Sequence, residues 1–159
     1  MQAIAARLGV PAHEQYVFGP RKNRYAVAVF VINEGERVRA QLREMSALAD
    51  QIDIIVADGG STDGSLAPDS LADFRVRALL VKRDAGRLSA QMRMAIAFAL
   101  EEEYEGLVVI DGNGKDDVAA IPINICVCSR HTSASAKRRC RTRRSIAQAN
   151  PRCDPSAKR

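Results

Sequence analysis

Residues Ile52–Gly64 read IDIIVADGGSTDG, an apolar run that ends at Asp58 and passes into a loop of Gly, Ser, Thr and Asp. Ile52, Ile54, Ile55 and Val56 are β-branched, and Asp53 is the one polar interruption. A run of this kind suits a central strand covered on both faces, as in a parallel α/β sheet. Asp58 then falls at the strand's C-terminal end, the edge where open α/β sheets bind ligands because diverging loops leave a crevice. Gly59, Gly60 and Gly64 permit sharp turns and close backbone approach, while Asp58, Ser61, Thr62 and Asp63 supply acceptors and hydroxyls. The loop is not an EF-hand, since Gly60 and Thr62 stand where oxygen ligands are needed, and it is neither a P-loop nor G-x-G-x-x-G. A ligand-binding loop and a solvated turn are the two readings left.

The flanking chain repeats the same grammar. Tyr25–Ile32 (YAVAVFVI) predicts an apolar strand that stops at Asn33, Glu34 and Gly35. A helix from about Glu36 to Asp50 follows, with Val38, Leu42, Met45 and Leu48 or Ala49 along one face, and completes a β-α-β unit with parallel strands. Downstream, the pattern predicts a short helix over Leu66–Phe74 opened by Pro68, a strand over Val76–Val81 and a turn at Asp84–Gly86. A longer helix then runs from Leu88 to about Tyr104, with Leu88, Met92, Ala95, Ile96, Ala99 and Leu100 as its apolar stripe. Gly106 breaks that helix, and Leu107–Ile110 predicts a fourth buried strand ending at Asp111. Asp111-Gly-Asn-Gly-Lys-Asp-Asp117 follows its strand as the first loop follows Asp58, so parallel strands would bring both loops to one crevice. On its own this second loop also reads as a solvated turn.

Composition divides the chain sharply. Residues 1–121 hold 14 Lys/Arg and 18 Asp/Glu, net −4, whereas residues 122–159 hold 10 and 1, net +9, which together give the +5 of the whole. All four cysteines, Cys126, Cys128, Cys140 and Cys153, lie in the basic part, so the body suits a reducing compartment without requiring one. The 159 residues are 47% hydrophobic, enough for one domain with a core. No stretch approaches eighteen apolar residues, and Met1–Val10 lacks the apolar centre of a signal peptide, so a cytoplasmic chain is expected. The expected organisation is an extension over 1–24 with a helical turn or two before Pro11, an α/β domain over 25–121, and a disordered basic tail over 122–159.

The ordered set of motifs resembles the family 2 glycosyltransferases. Their nucleotide-binding loop usually follows a strand as D-D-G-S-T-D-G; here Asp58 takes the place of the first aspartate and Gly59 replaces the second. V-I-N-E-G at 31–35 is similar to the family's strand ending in an N-E pair, with Phe30 where proline is usual. Gly86 before Leu88-Ser89-Ala90 and the strand end Val109-Ile110-Asp111 follow at suitable spacing, so the resemblance covers roughly Tyr25 to Pro122. It is greatest to the polyprenyl-phosphate mannosyl or glucosyl transferases, because the acidic strand-end motif runs on to A-I-P at 120–122.

The resemblance implies a GT-A fold, a Rossmann-like sandwich that binds a UDP- or GDP-sugar and transfers the sugar with inversion. The acceptor class includes a lipid-linked phosphate, which would place the chain at the cytoplasmic face of a membrane. Carried over position by position, the backbone around Phe30, Val31 and Asn33 and the Asp58 side chain would hold base and ribose. Arg87 or Gln91 would lie near the nucleotide and Glu34 belongs to the same set, although Glu34, like Asp63 outside the set, would brace its loop more than touch the ligand. The family's D-x-D site reads Asp111-Gly112-Asn113, so Asp111 and Asn113 would hold Mg²⁺ or Mn²⁺ and the diphosphate. An amide oxygen binds such a cation more weakly than a carboxylate unless Asp116 or Asp117 compensates, and Lys115 would contact phosphate.

After Pro122 the pattern collapses, and the acceptor site and catalytic base of the family have no counterpart. Abundant Arg, Ser, Ala and Cys with few acids is what a GC-rich coding sequence yields out of frame. The expectation is therefore a frameshift near codon 122 and a truncated enzyme that binds donor without transferring it. Cys126, Cys128, His131, Cys140 and Cys153 match no standard zinc spacing. Lys137–Arg144 (KRRCRTRR) carries six positive charges in eight residues and would attract nucleic acid nonspecifically, but no aromatic residue is present to stack on bases. A nucleic-acid-binding or regulatory protein acting through this tail is the alternative function. A nucleotidyltransferase is a third, opposed by the lack of a Gly-rich basic cradle after the first strand.

Overall fold

The computed structural model describes residues 9–122. Helical turns before Pro11 fall mostly before Gly9, and the expected tail disorder, zinc ligands and basic cluster fall after Pro122, outside the described residues. Within them the chain forms β1 (His13–Val17), β2 (Tyr25–Val31), α1 (Glu36–Met45) with a 3₁₀ turn at Ser46–Leu48, and β3 (Asp53–Asp58). These are followed by α2 (Pro68–Asp73), β4 (Val76–Lys82), α3 (Leu88–Glu101), β5 (Gly106–Asp111) and a 3₁₀ turn at Val118–Ala120. The result is an α/β fold around one five-stranded sheet of order β1-β4-β3-β2-β5. β2–β5 are parallel, and β1 pairs antiparallel with β4.

The central strands are apolar because both faces are covered. Every residue of β2 and β3 is buried. Val27, Val29, Val31, Ile54 and Val56 pack with Val38, Leu42 and Met45 of α1, with Leu71 of α2, and with Val118 and Ile121 beyond β5. On the other face Ala26, Ala28, Ala57 and Ala78 leave a shallow row into which Met94 and Phe98 of α3 dock. Small residues on one face and β-branched residues on the other let a single helix lie close to the sheet where α3 crosses it.

Three expectations are corrected. The strand expected to be buried over Leu107–Ile110 is β5 at the sheet edge, half-buried with Val109 exposed, because only β2 flanks it. The region before Tyr25 contains β1, whose mixed sequence HEQYV carries no apolar period; it is half-buried at the sheet edge, where His13 registers with Lys82 and Val17 with Ala78. The buried face of α3 is also not the stripe expected from its period. Ala95 and Ala99 are buried, but so are Gln91, Met94 and Phe98, while Leu88, Met92, Ile96 and Leu100 are exposed. Apolar residues lie on both faces of this helix, and its rotation is set by Phe98 entering the alanine row and Gln91 reaching the strand ends.

A polar knot closes the opposite edge of the sheet. Asp53, at the start of β3, is buried and accepts bonds from the Lys22 N–H (3.0 Å), the Asn23 amide (2.8 Å) and the Tyr104 hydroxyl (2.7 Å). Burial, and then the bond to Asp53, push the Tyr104 phenol well above its usual pKa. The buried Arg77 guanidinium lies 4.0 Å from Asp53, pairs with Glu102, and stands over the Phe98 and Tyr104 rings.

Candidate functional site

Asp58 and Asp111 both end parallel strands and share one rim. Asp58 registers with Val31 and Asp111 with Phe30, so β2 stands between them and they lie roughly 10 Å apart across two strand spacings. Because Phe30 and Val31 point to opposite faces, so do the two aspartates. Asp58 turns toward the face of Val31, and Asp111 toward the face of Phe30 and α3.

This register decides what each aspartate does. Asp58 is buried, and its Oδ1 accepts the Gly60 N–H (3.1 Å), the Ser61 N–H (2.8 Å) and the Ser61 hydroxyl (2.6 Å). It is the internal support of its own loop. That loop is tied in turn to the end of β2. The Asn33 N–H donates to Ser61 Oγ, the Thr62 N–H donates to Asn33 Oδ1, and the Gly35 N–H donates to Asp63 Oδ2. Asn33 adopts φ 53°, a left-handed conformation that Asn tolerates better than most residues. Asp63 also accepts the Ser65 hydroxyl and N–H, which with Gly35 hold its carboxyl below the usual range. Asn33 and Asp63 thus lock two loops together.

On the α3 side of the rim a cavity of about 320 Å³ opens, lined by Phe30, Val31, Glu34, Gly59, Arg87 and Asp111 among others. Five of the seven residues expected from the sequence to hold nucleotide therefore meet there. The remaining two, Asn33 and Asp58, do not line it, and the loop after β3 contributes Gly59 instead. Arg87 stands at the N-cap of α3 and is exposed, and its side chain has no ion-pair partner among the described residues. Glu34 lies 3.7 Å from Arg37.

Gln91 holds the wall of this cavity together. Its Nε2 donates to the Val31 carbonyl (2.9 Å) and the Ala57 carbonyl (3.1 Å), which join α3 to the ends of β2 and β3. A polar residue on an otherwise apolar buried face is the sequence signal for such a brace. Gly112 does the same for the second loop. Its N–H donates to the Phe30 carbonyl (2.8 Å), and a Cβ there would sit 2.8 Å from that oxygen.

The two residues expected to hold the metal lie in contact with each other. Asp111 is exposed at the cavity, and its Oδ2 accepts from Asn113 Nδ2 (2.8 Å), while Asn113 Oδ1 accepts the Lys115 N–H (2.9 Å). Asp116 Oδ2 accepts the Asp111 N–H, and Asn113 and Asp116 line a neighbouring depression against Gln41 and Glu44 of α1. Asn113 therefore turns its amide nitrogen, not its oxygen, toward Asp111. Among the described residues no group of three or more His, Cys, Asp or Glu is placed to hold a metal ion. Of the expected pair, Asp111 is the residue that presents a carboxylate at the cavity, and hard cations such as Mg²⁺ take oxygen ligands of this kind. No helix among the described residues is long and apolar enough to cross a membrane. Comparison with protein-family models, with curated proteins and with solved structures gives no match.

Proposed function

We propose that this chain binds a nucleoside diphosphate sugar at the β2/β5 rim, as the donor-binding part of an inverting glycosyltransferase with a GT-A type fold. The observation that carries the reading is the convergence of Arg87, Glu34 and Asp111, from three separate elements, on one cavity walled by Phe30 and Val31. An apolar wall beside a cation and an exposed carboxylate suits a ligand with a flat base at one end and a diphosphate at the other.

In the transfer, an ionised oxygen of the acceptor phosphate attacks the anomeric carbon as the sugar–phosphate bond breaks, and the bonding electrons leave on the nucleoside diphosphate. Arg87 would stabilise that charge as it develops. A divalent cation held at Asp111 would neutralise part of the same charge. Gln91 and Gly112 keep the cavity walls in place. Glu34, beside Arg37, is the other carboxylate at the cavity and braces the loop after β2. A lipid-linked phosphate is the acceptor class proposed.

Calorimetry with UDP- and GDP-sugars in the presence of Mn²⁺ tests the reading. The parent chain gives binding heat with one of the two, and Arg87→Ala and Asp111→Ala remove most of it while leaving the circular dichroism spectrum unchanged. Equal heats for all three proteins would remove the assignment.

A further inference from the structure

We infer that the depression between α1 and the second strand-end loop binds a small organic amine through its ammonium group. Arg37, Gln41 and Glu44 follow one another at intervals of four and three, so they form one row along α1. Asn113, Asp116 and Val118 face that row across a depression of about 390 Å³. Gln41 carries the inference. It is only 4% exposed, and its Nε2 donates to the Asp111 carbonyl (3.0 Å). That bond fixes which end of the amide is which, and leaves Oε1 as a buried acceptor without a partner. Folded proteins leave few buried polar atoms unpaired, and an orphan carbonyl at the floor of a depression calls for a donor from outside the chain.

The surrounding groups set the class of that donor. Glu44 is exposed and takes part in no hydrogen bond or ion pair among the described residues, and Asp116 engages only Oδ2, with the Asp111 N–H (2.7 Å). Arg37, the one cation lining the depression among the described residues, lies 3.7 Å from Glu34 and donates to none of the three acceptors. Two uncompensated carboxylates and an amide oxygen suit a donor that is itself positively charged. An ammonium group has three N–H bonds to give and forms charge-assisted bonds with the carboxylates. A bare divalent cation fits less well, since no third carboxylate joins Glu44 and Asp116 among the described residues and hard cations take about six oxygens or more. Asp116 and Gln41 hold the two main-chain groups of Asp111, so an occupant here also steadies Asp111 at the rim of the other cavity.

Titration of the full chain with ethanolamine at neutral pH, followed by heteronuclear NMR, tests this. Tetramethylammonium is the control, a cation of equal charge with no N–H to donate. Ethanolamine shifts the Gln41 side-chain amide and the Asp111 N–H, saturates at millimolar concentration as a ligand of so few atoms should, and leaves the Ser61 N–H unmoved. Tetramethylammonium does not reproduce these shifts. Glu44→Gln weakens binding about tenfold with the circular dichroism spectrum unchanged, and so does Asp116→Asn, which keeps an oxygen for the Asp111 N–H. Absence of a saturable shift at Gln41 overturns the inference, as does an affinity indifferent to both variants. Equal shifts with tetramethylammonium mean a diffuse acidic surface, and displacement by Mg²⁺ at lower concentration than ethanolamine means a metal site; either overturns it.

Discussion

Gly112→Ala measures how closely the second strand-end loop is pressed against β2. The added Cβ would lie 2.8 Å from the Phe30 carbonyl oxygen and 2.9 Å from Val31 Cγ2, with Val38 Cγ2 at 3.5 Å behind. The nearest atom is backbone in a strand buried along its whole length, so the loop and not the strand must move, by roughly half an ångström. Overpacking of this kind costs about 1–3 kcal/mol. The displacement also weakens the hydrogen bond from the Gly112 N–H to Phe30, worth about 1 kcal/mol. Loss of glycine's freedom in the unfolded chain returns about 0.4–1 kcal/mol. The net expectation is about 2–3 kcal/mol of destabilisation, or a fall in melting temperature of about 8–12 °C for a domain of this size. Gly114→Ala is the control. Gly114 has φ 72° and no atom within 4 Å of its Cβ, so only backbone strain of about 1 kcal/mol applies. Urea unfolding followed by circular dichroism gives both values. If Gly112→Ala costs no more than Gly114→Ala, the loop is not held against β2 as described.

Two further outcomes follow from the same geometry. Gln91→Leu keeps the volume of the side chain but leaves the Val31 and Ala57 carbonyls without their donor, so urea unfolding should show a loss of about 2–3 kcal/mol, and a change below 0.5 kcal/mol would remove Gln91 as the brace. Asp63 has a folded pKa below its unfolded value, so its contribution is complete above the unfolded carboxylate pKa near 4 and is lost as pH falls through the lower folded value. The urea midpoint of the parent should therefore drop on acidification below about pH 4 more steeply than that of Asp63→Asn, and parallel pH profiles would show that the Ser65 and Gly35 bonds do not favour the ionised form.

The sequence by itself determined the α/β class, the four parallel strands and the placing of Asp58 and Asp111 at one edge, because β-branched runs ending in Asp and Gly are local signals. It also determined the buried face of α1, where Val38, Leu42 and Met45 leave a single apolar side. Only tertiary structure decided which way α3 faces, since Leu88, Met92, Ile96 and Leu100 are as apolar as the residues it buries, and the choice rests on an alanine row contributed by β2, β3 and β4. The same holds for β1, whose residues HEQYV become a strand only because β4 offers an edge. The two aspartates look equivalent in the chain, yet a one-residue difference in register against β2 sends Asp58 under its own loop and Asp111 to the cavity. Side-chain direction alternates along a strand, and register is a property of paired strands that no single run of residues contains.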